Sequence, residues 1–279
     1  MIVYDYIHSI CYWDGNERII CLKTQIEKLI STKHSSKKDF KILCIISIRS
    51  NNKYVIDKSP YELLKDMSTD NLDIEIIYNF NWGGTVGTLW DTYKYLTINN
   101  ISSYIIGTWE DDAIFKHDLW FDVVEELLLK DYIYIGSLHE THNIINQKKY
   151  SELNYKFNYT ADIVRVPGFE ISQVFWVEDP YILFFKNLKI IEEKIGCFTR
   201  AKQGEEYIYG THGIIHGEVG FPTRLVNAGF KIYGIPSSRR SQESFILFLD
   251  PFNELSKSGS KTYTNIEGYK NELKSQGII

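Results

Sequence analysis

The alternation of short apolar runs with runs of helical period over residues 1–136 is what most narrows the folds open to this chain. Residues 2–7 alternate apolar and polar side chains as a first strand does, and a polar turn is expected over 8–15. Ile19, Ile20, Leu22, Ile26, Leu29 and Ile30 recur close to the helical period. A helix is therefore expected over 16–31, with Asn16 as N-cap. Residues 40–48 read as a second strand, 60–67 as a short helix opened by Ser59 and Pro60, and 72–78 as a third strand. A helix over 84–96, a strand over 103–108, a helix over 119–129 and a strand over 132–136 complete the series. Strands and helices taken in turn predict a mostly parallel central sheet with helices on both faces.

Ligands in such sheets bind beyond the carboxyl ends of the strands, so the loops at that edge draw attention. One begins at His8 and Ser9, after the first strand. Another is Asn81-Trp82-Gly83-Gly84-Thr85, running from the third strand into a helix. Its glycines permit positive φ and close approach of a ligand, and the helix N-terminus favours an anion. The spacing matches neither a P-loop nor G-x-G-x-x-G, and a tight turn with no further role is the plainer alternative. The last is Trp109-Glu110-Asp111-Asp112, after the fourth strand. Adjacent carboxylates repel and raise one another's pKa. A hard divalent cation such as Mn²⁺ or Mg²⁺ relieves that repulsion, whereas a solvated acidic turn leading into the next helix needs no metal.

The regular alternation stops after Gly136. Residues 137–158 are polar and read as a long loop, and 161–166 with 171–177 read as a hairpin turning at Pro167-Gly168. Asp179-Pro180 is expected to open a helix reaching Lys194. A helix over 219–228 and a last strand over 231–235 follow, and 237–279 form a mostly polar tail in which only 245–249 is strongly apolar. Glu218 stands where a loop meets that helix, a suitable place for a general base, or simply for a carboxylate facing the helix dipole. His212 and His216 could complete a metal shell or touch phosphate, but solvated histidines are the simpler reading. Arg239 and Arg240 could pair with a phosphate or stand exposed on the tail. A single domain is expected over 1–279, regular over 1–136, less regular over 137–236 and ending in a tail over 237–279.

Composition removes several classes. A net charge of -5 and a pI near 5.8 speak against a nucleic-acid partner. Cys11, Cys21, Cys44 and Cys197 show no C-x-x-C spacing, which argues against zinc and against a disulfide framework. Reduced thiols, no apolar run long enough for a membrane span and no signal-peptide pattern together lead to a cytoplasmic expectation.

The order of these motifs resembles a glycosyltransferase of the GT-A fold, closest in style to family 2. The resemblance spans residues 1–236: a glycine turn at 81–84, an acidic motif at 110–112, an acceptor-side strand at 171–177, and a carboxylate-helix-strand unit at 217–236 ending in Ala228-Gly229-Phe230-Lys231-Ile232. It implies a GT-A-like fold, with 1–136 as a nucleotide-sugar-binding half and 137–236 as an acceptor-side half that carries a smaller β region, and a metal-dependent transfer of a sugar from a UDP- or GDP-sugar donor to a hydroxyl acceptor on a glycan, a protein or a small molecule. It implies Asp112 as the metal ligand, with His8, Ser9, Asn81, Gly83, Gly84, Glu110 and Asp111 around the donor and Glu218 as base. Inversion at the anomeric centre is implied in the same way. The chain departs from the family in having Glu-Asp-Asp for D-x-D and Val219 where an Asp is usual. The Gln-x-x-Arg-Trp of processive members is absent, which favours addition of single sugars. A nucleotidyltransferase acting on a sugar phosphate and a non-catalytic glycan- or partner-binding module are the alternatives. The residues do not fix the oligomeric state.

Overall fold

The sheet is built outward from β1 (Ile2–Trp13), which pairs in parallel with β2 (Ile42–Ser50) on one side and β4 (Ile101–Glu110) on the other. In the computed structural model, residues 2–13, 19–50, 59–64, 66–80, 82–115, 120–138, 177–201, 217, 220–236 and 246–248 are described. Between these strands lie α1 (Ile19–Ser31), α2 (Ser59–Leu64), β3 (Leu72–Phe80) and α3 (Gly84–Ile98). After β4 come β5 (Ala113–Phe115), α4 (Trp120–Leu128), β6 (Tyr134–Leu138) and β7 (Val177–Phe184). The last described elements are α5 (Phe185–Ile195), α6 (Gly220–Asn227), β8 (Ile232–Pro236) and β9 (Ile246–Phe248).

Seven of these strands form one sheet in the order β3-β2-β1-β4-β7-β6-β8. β7 runs antiparallel to both its neighbours, while β6 and β8 pair in parallel. The expected α/β architecture, a mostly parallel sheet with helices on both faces, is therefore present. β5 and β9 make a separate two-stranded sheet beside it.

Alternation along the strands sorts their side chains into two apolar layers. Tyr6, Ile10 and Tyr12 of β1 join Ile42, Cys44, Ile46 and Ile48 of β2 in one layer, under α1, α2 and α4. Ile7 of β1 joins Leu43 and Ile45 in the other, under α3, α5 and α6. Strands covered on both faces are apolar on both, which is why the sequence of β2 reads as a continuous run. Trp120 and Phe121 of α4 are fully enclosed, and burying side chains of this size contributes about 1.5–3 kcal/mol each.

Four sequence expectations change. β1 continues to Trp13, so His8 and Ser9 lie mid-strand and not in a turn; each pairs with both β2 and β4, and that two-sided pairing holds the extension. β4 runs on through Trp109 and Glu110, leaving only Asp111 and Asp112 in the turn, because Trp109 is drawn into the core opposite Ile10. Asp179-Pro180 opens no helix: it lies in β7, and α5 begins only at Phe185. Tyr181, Ile182, Leu183 and Phe184 are buried between β4 and β6, and that pairing outweighs the helix signal. Pro180 is tolerated because the β6–β7 register shifts there and the β4 ladder starts only at Tyr181. Finally, 246–248 is not left in a loose tail but returns as β9 to pair with β5, directly after the acidic turn. The segments expected to form a loop at 137–158 and a hairpin at 161–177 lie mostly or wholly outside the described residues.

Candidate active site at the carboxyl edge of the sheet

β1, β2, β3 and β4 all point the same way, so their carboxyl ends share one edge, and α3 starts there. On the α1–α4 face, this edge is floored by a buried aromatic relay. Trp109 Nε1 donates to the Tyr6 hydroxyl at 2.8 Å, and that hydroxyl lies 3.1 Å from His8 Nδ1. Since the indole is only a donor, the hydroxyl proton is satisfied when Tyr6 donates to Nδ1, which places the His8 proton on Nε2. The His8 ring stacks on Trp109 with centroids 5.3 Å apart. Burial holds His8 far below the ordinary histidine value, at about 3, with Gln25 opposing, so it is neutral across the physiological range. Gly107 lets the relay cross β4, since a Cβ there would overlap the Tyr6 hydroxyl and lie 2.8 Å from Trp109 Nε1. His8 is thus inside the core beneath Trp109, and not on a surface that a donor would touch.

On the α3 face, the edge is polar although it is buried. Thr85, Thr88 and Thr92 recur at helical spacing along α3 and turn their hydroxyls to the sheet. Ser9 Oγ lies 2.7 Å from Thr92 Oγ1, so Ser9 ties β1 to α3. Arg49, near the end of β2, donates from Nε to Thr88 Oγ1 at 2.9 Å and from Nη1 to Asp91 Oδ2 at 2.8 Å. Thr85 Oγ1 donates to Glu110 Oε1 at 3.3 Å, joining the start of α3 to the end of β4. Asn79 Nδ2 donates to Ser47 Oγ at 3.1 Å between β3 and β2. Burial pushes the Cys11 thiol up to about 12, against a smaller pull from Arg49, so it is no nucleophile here.

The acidic turn is held by α1. The Gln25 amide donates to the Glu110 carbonyl at 3.0 Å and also to the Ala113 carbonyl, so one side chain bridges the backbone on both sides of Asp111-Asp112. Asp111 is 0% exposed and Asp112 7%, so neither is a solvated loop carboxylate. Among the described residues, no three His, Cys, Asp or Glu side chains converge as a ready-made metal cage. The donor set still suits Mg²⁺ or Mn²⁺, which take one or two carboxylates and complete their shell with water and phosphate oxygens.

The glycine turn is braced from the other side. Gly84 takes φ +56, a conformation that favours glycine. Gly83 serves as the N-cap of α3 without a side-chain capping bond, and a Cβ there would come within 2.9 Å of Thr199. Trp82 Nε1 donates to Asp91 Oδ2 at 3.0 Å, folding the turn back onto α3. Thr199 belongs to the segment after α5, and this segment is secured from α6: Arg224 donates to the Cys197 carbonyl at 2.9 Å and to the Phe198 carbonyl. The helix that begins just after Glu218 is therefore braced, through Arg224 and Thr199, against the turn that opens α3.

Of the residues singled out from sequence, Gly83, Gly84, Glu110, Asp111 and Asp112 come together at this edge, with Ser9 behind them. Asn81, Glu218, His212, His216, Arg239 and Arg240 lie outside the described residues. Sequence reading missed Arg49, Thr88 and Asp91. The available signal was Arg49 itself, a lone cation closing an otherwise apolar buried strand.

Neither a protein-family model nor a curated protein sequence matches the chain. Its backbone resembles that of a nucleoside-diphosphate-sugar pyrophosphorylase from Vibrio cholerae RC9, with 10% identity, a TM-score of 0.49, and coverage of 96% of this chain and 99% of that one. Mouse xyloside xylosyltransferase 1 in its apo form is similar over 84% of this chain and 85% of its own, with 8% identity and a TM-score of 0.42. A 4-diphosphocytidyl-2C-methyl-D-erythritol synthase is similar over 86% of this chain and 93% of its own, with 9% identity and a TM-score of 0.42. No helix among the described residues is long and apolar enough to cross a membrane.

Proposed function

We propose that this protein is a glycosyltransferase that moves a single sugar from a nucleotide-sugar donor to a hydroxyl acceptor with inversion. The observation that carries the reading is the hydrogen bond from Thr85 to Glu110, which joins the glycine turn and the acidic turn at one carboxyl edge. An anion-favouring helix start thus lies beside the strand end that leads into the two buried carboxylates, Asp111 and Asp112. A nucleoside diphosphate linked to a sugar, bridged by a cation, fits both.

Asp112, with Asp111 or Glu110 beside it, would hold Mn²⁺ or Mg²⁺; such an ion would offset the charge that builds on the diphosphate as the glycosidic bond breaks. The chain's own contribution at the donor is to fix the geometry. Gly84 at φ +56 and Gly83 packed against Thr199 fix the turn that opens α3, and the unpaired N–H groups of a helix's first turn favour an anion such as the diphosphate. Gln25 keeps the acidic turn from opening. At the acceptor, Glu218 would take the hydroxyl proton as the oxygen attacks the anomeric carbon.

Donor binding and sugar transfer, measured separately, test this. Glu218→Gln is expected to keep donor binding and to lose transfer by a factor of about 10²–10⁴. Asp112→Ala is expected to lose cation-dependent donor binding as well. Wild-type turnover by Glu218→Gln would remove Glu218 as the base. Release of pyrophosphate from a nucleoside triphosphate with a sugar phosphate would instead make the protein a nucleotidyltransferase. Donor binding with no turnover on any acceptor would make it a binding module.

A further inference from the structure

We infer that Arg49 is a positioning residue that sets the shape of the glycine turn for a nucleoside diphosphate; the inference rests on the donor-site reading above. Arg49 is buried, 1% exposed, and is placed to act through its neighbours. Both its described hydrogen bonds lead to the turn. Through Nη1 it holds Asp91 Oδ2, and the same oxygen receives Trp82 Nε1, the residue before Gly83. Through Nε it donates to Thr88 Oγ1, and that hydroxyl in turn donates to the Gly84 carbonyl at 3.2 Å. One guanidinium thus fixes the turn at Trp82 and at Gly84, on either side of the N-cap.

The planar fork is what allows this. Two donors in a fixed relation select one placement of Asp91 and Thr88 on α3, which a flexible lysine ammonium would not. The side chains of Thr88 and Asp91 hang from the first two turns of α3, so their placement relative to β2 fixes where the helix start sits against the sheet edge. The helix start supplies the N–H groups that an anion would meet. Loss of the fork is therefore expected to weaken the grip on the diphosphate and leave the rest of a nucleotide unaffected.

The experiment is calorimetric titration of the full chain with UDP and GDP, with and without Mn²⁺, and with uridine and guanosine as uncharged controls. Arg49→Met is expected to raise the Kd of the nucleoside diphosphate that binds by about tenfold or more, equivalent to one lost charge-assisted interaction, with stoichiometry unchanged. Thr88→Val, which removes only the hydroxyl relay, is expected to raise it by about fivefold and serves should Arg49→Met not fold. Nucleoside binding should not move in either variant. A merely structural role would lower the fraction of competent protein and leave Kd unchanged, and that result overturns the inference. An equal loss for nucleoside and diphosphate overturns it too. Wild-type protein that binds neither diphosphate, with or without Mn²⁺, overturns the donor-site reading and this inference together.

Discussion

At the scale of single residues, the chemistry of this edge depends on side chains that no ligand would touch. Gly107 is the sharpest case. It looks like an ordinary strand glycine, yet Tyr6 and Trp109 meet in the space its missing Cβ leaves. Gly107→Ala is expected to destabilise the protein by about 1–3 kcal/mol through overpacking, read as a lower urea midpoint at constant m. A midpoint within error of wild type would mean that the relay can move aside. His8 makes a prediction in pH. Its folded pKa of about 3 lies below the ordinary value of 6.5, so between these values the unfolded chain binds a proton that the folded chain does not. Stability is then present in full above pH 6.5 and falls as pH drops toward 3, at about 1.4 kcal/mol per pH unit from this group alone. Urea unfolding of wild type and His8→Gln at pH 7, 6 and 5 should show the smaller acid loss in the variant. Equal losses would show that His8 is not held neutral. The sequence shows His8 and Ser9 as polar residues after an apolar run, which mimics a loop. Only the pairing of β1 on both sides puts them in the core.

At the scale of elements, helix starts were among the most legible parts of the chain and strand ends among the least. The starts of β3 and α3 and the end of α1 were readable from period and from glycine, because those boundaries are set locally. The ends of β1 and β4 were not, because tertiary pairing extends them. β7 defeated a local signal outright: Asp179-Pro180 has the chemistry of a helix start, and a register shift between β6 and β7 accommodates it in a strand. The bracing of α6 against the segment after α5 was equally invisible, since it depends on Arg224 reaching backbone carbonyls 26 and 27 residues away. Arg224→Met should leave those carbonyls without their donor and cost about 2–4 kcal/mol, measured by chemical denaturation. Because the same segment carries Thr199 onto Gly83, donor affinity should fall as well. A stability loss with donor affinity unchanged would show that the brace and the turn are uncoupled.

At the scale of the whole molecule, the sheet order explains why two motifs 25 residues apart form one site. β1, central among the parallel strands, separates β2 and β3 from β4, and the chain leaving β3 passes to the other side so that α3 starts beside the end of β4 and packs over β1. Much of that architecture was legible, because alternating strands and helices admit few other arrangements. The two sides of the proposed site were not equally so: the motifs proposed for the donor announce themselves by glycine and carboxylate, whereas a pocket for an acceptor would be made of shape, which a sequence does not display. The decisive test of the donor side is therefore thermodynamic. A ligand bound only by the folded state stabilises it by mass action, by about 2.7 kcal/mol at a concentration one hundred times its Kd. In a chain of this length, that raises the unfolding midpoint by roughly 5–10 °C. With a panel of UDP- and GDP-sugars, the shift is expected for one donor class, in the presence of Mn²⁺ or Mg²⁺ and not in its absence. Asp112→Ala should abolish the shift. Its ligand-free midpoint, measured alongside, separates lost binding from a destabilised fold. A metal-independent shift would place the diphosphate on the α3 N-terminus alone. No shift with any donor, at metal and ligand concentrations well above the expected Kd, would leave Asp111 and Asp112 as a structural turn between β4 and β5.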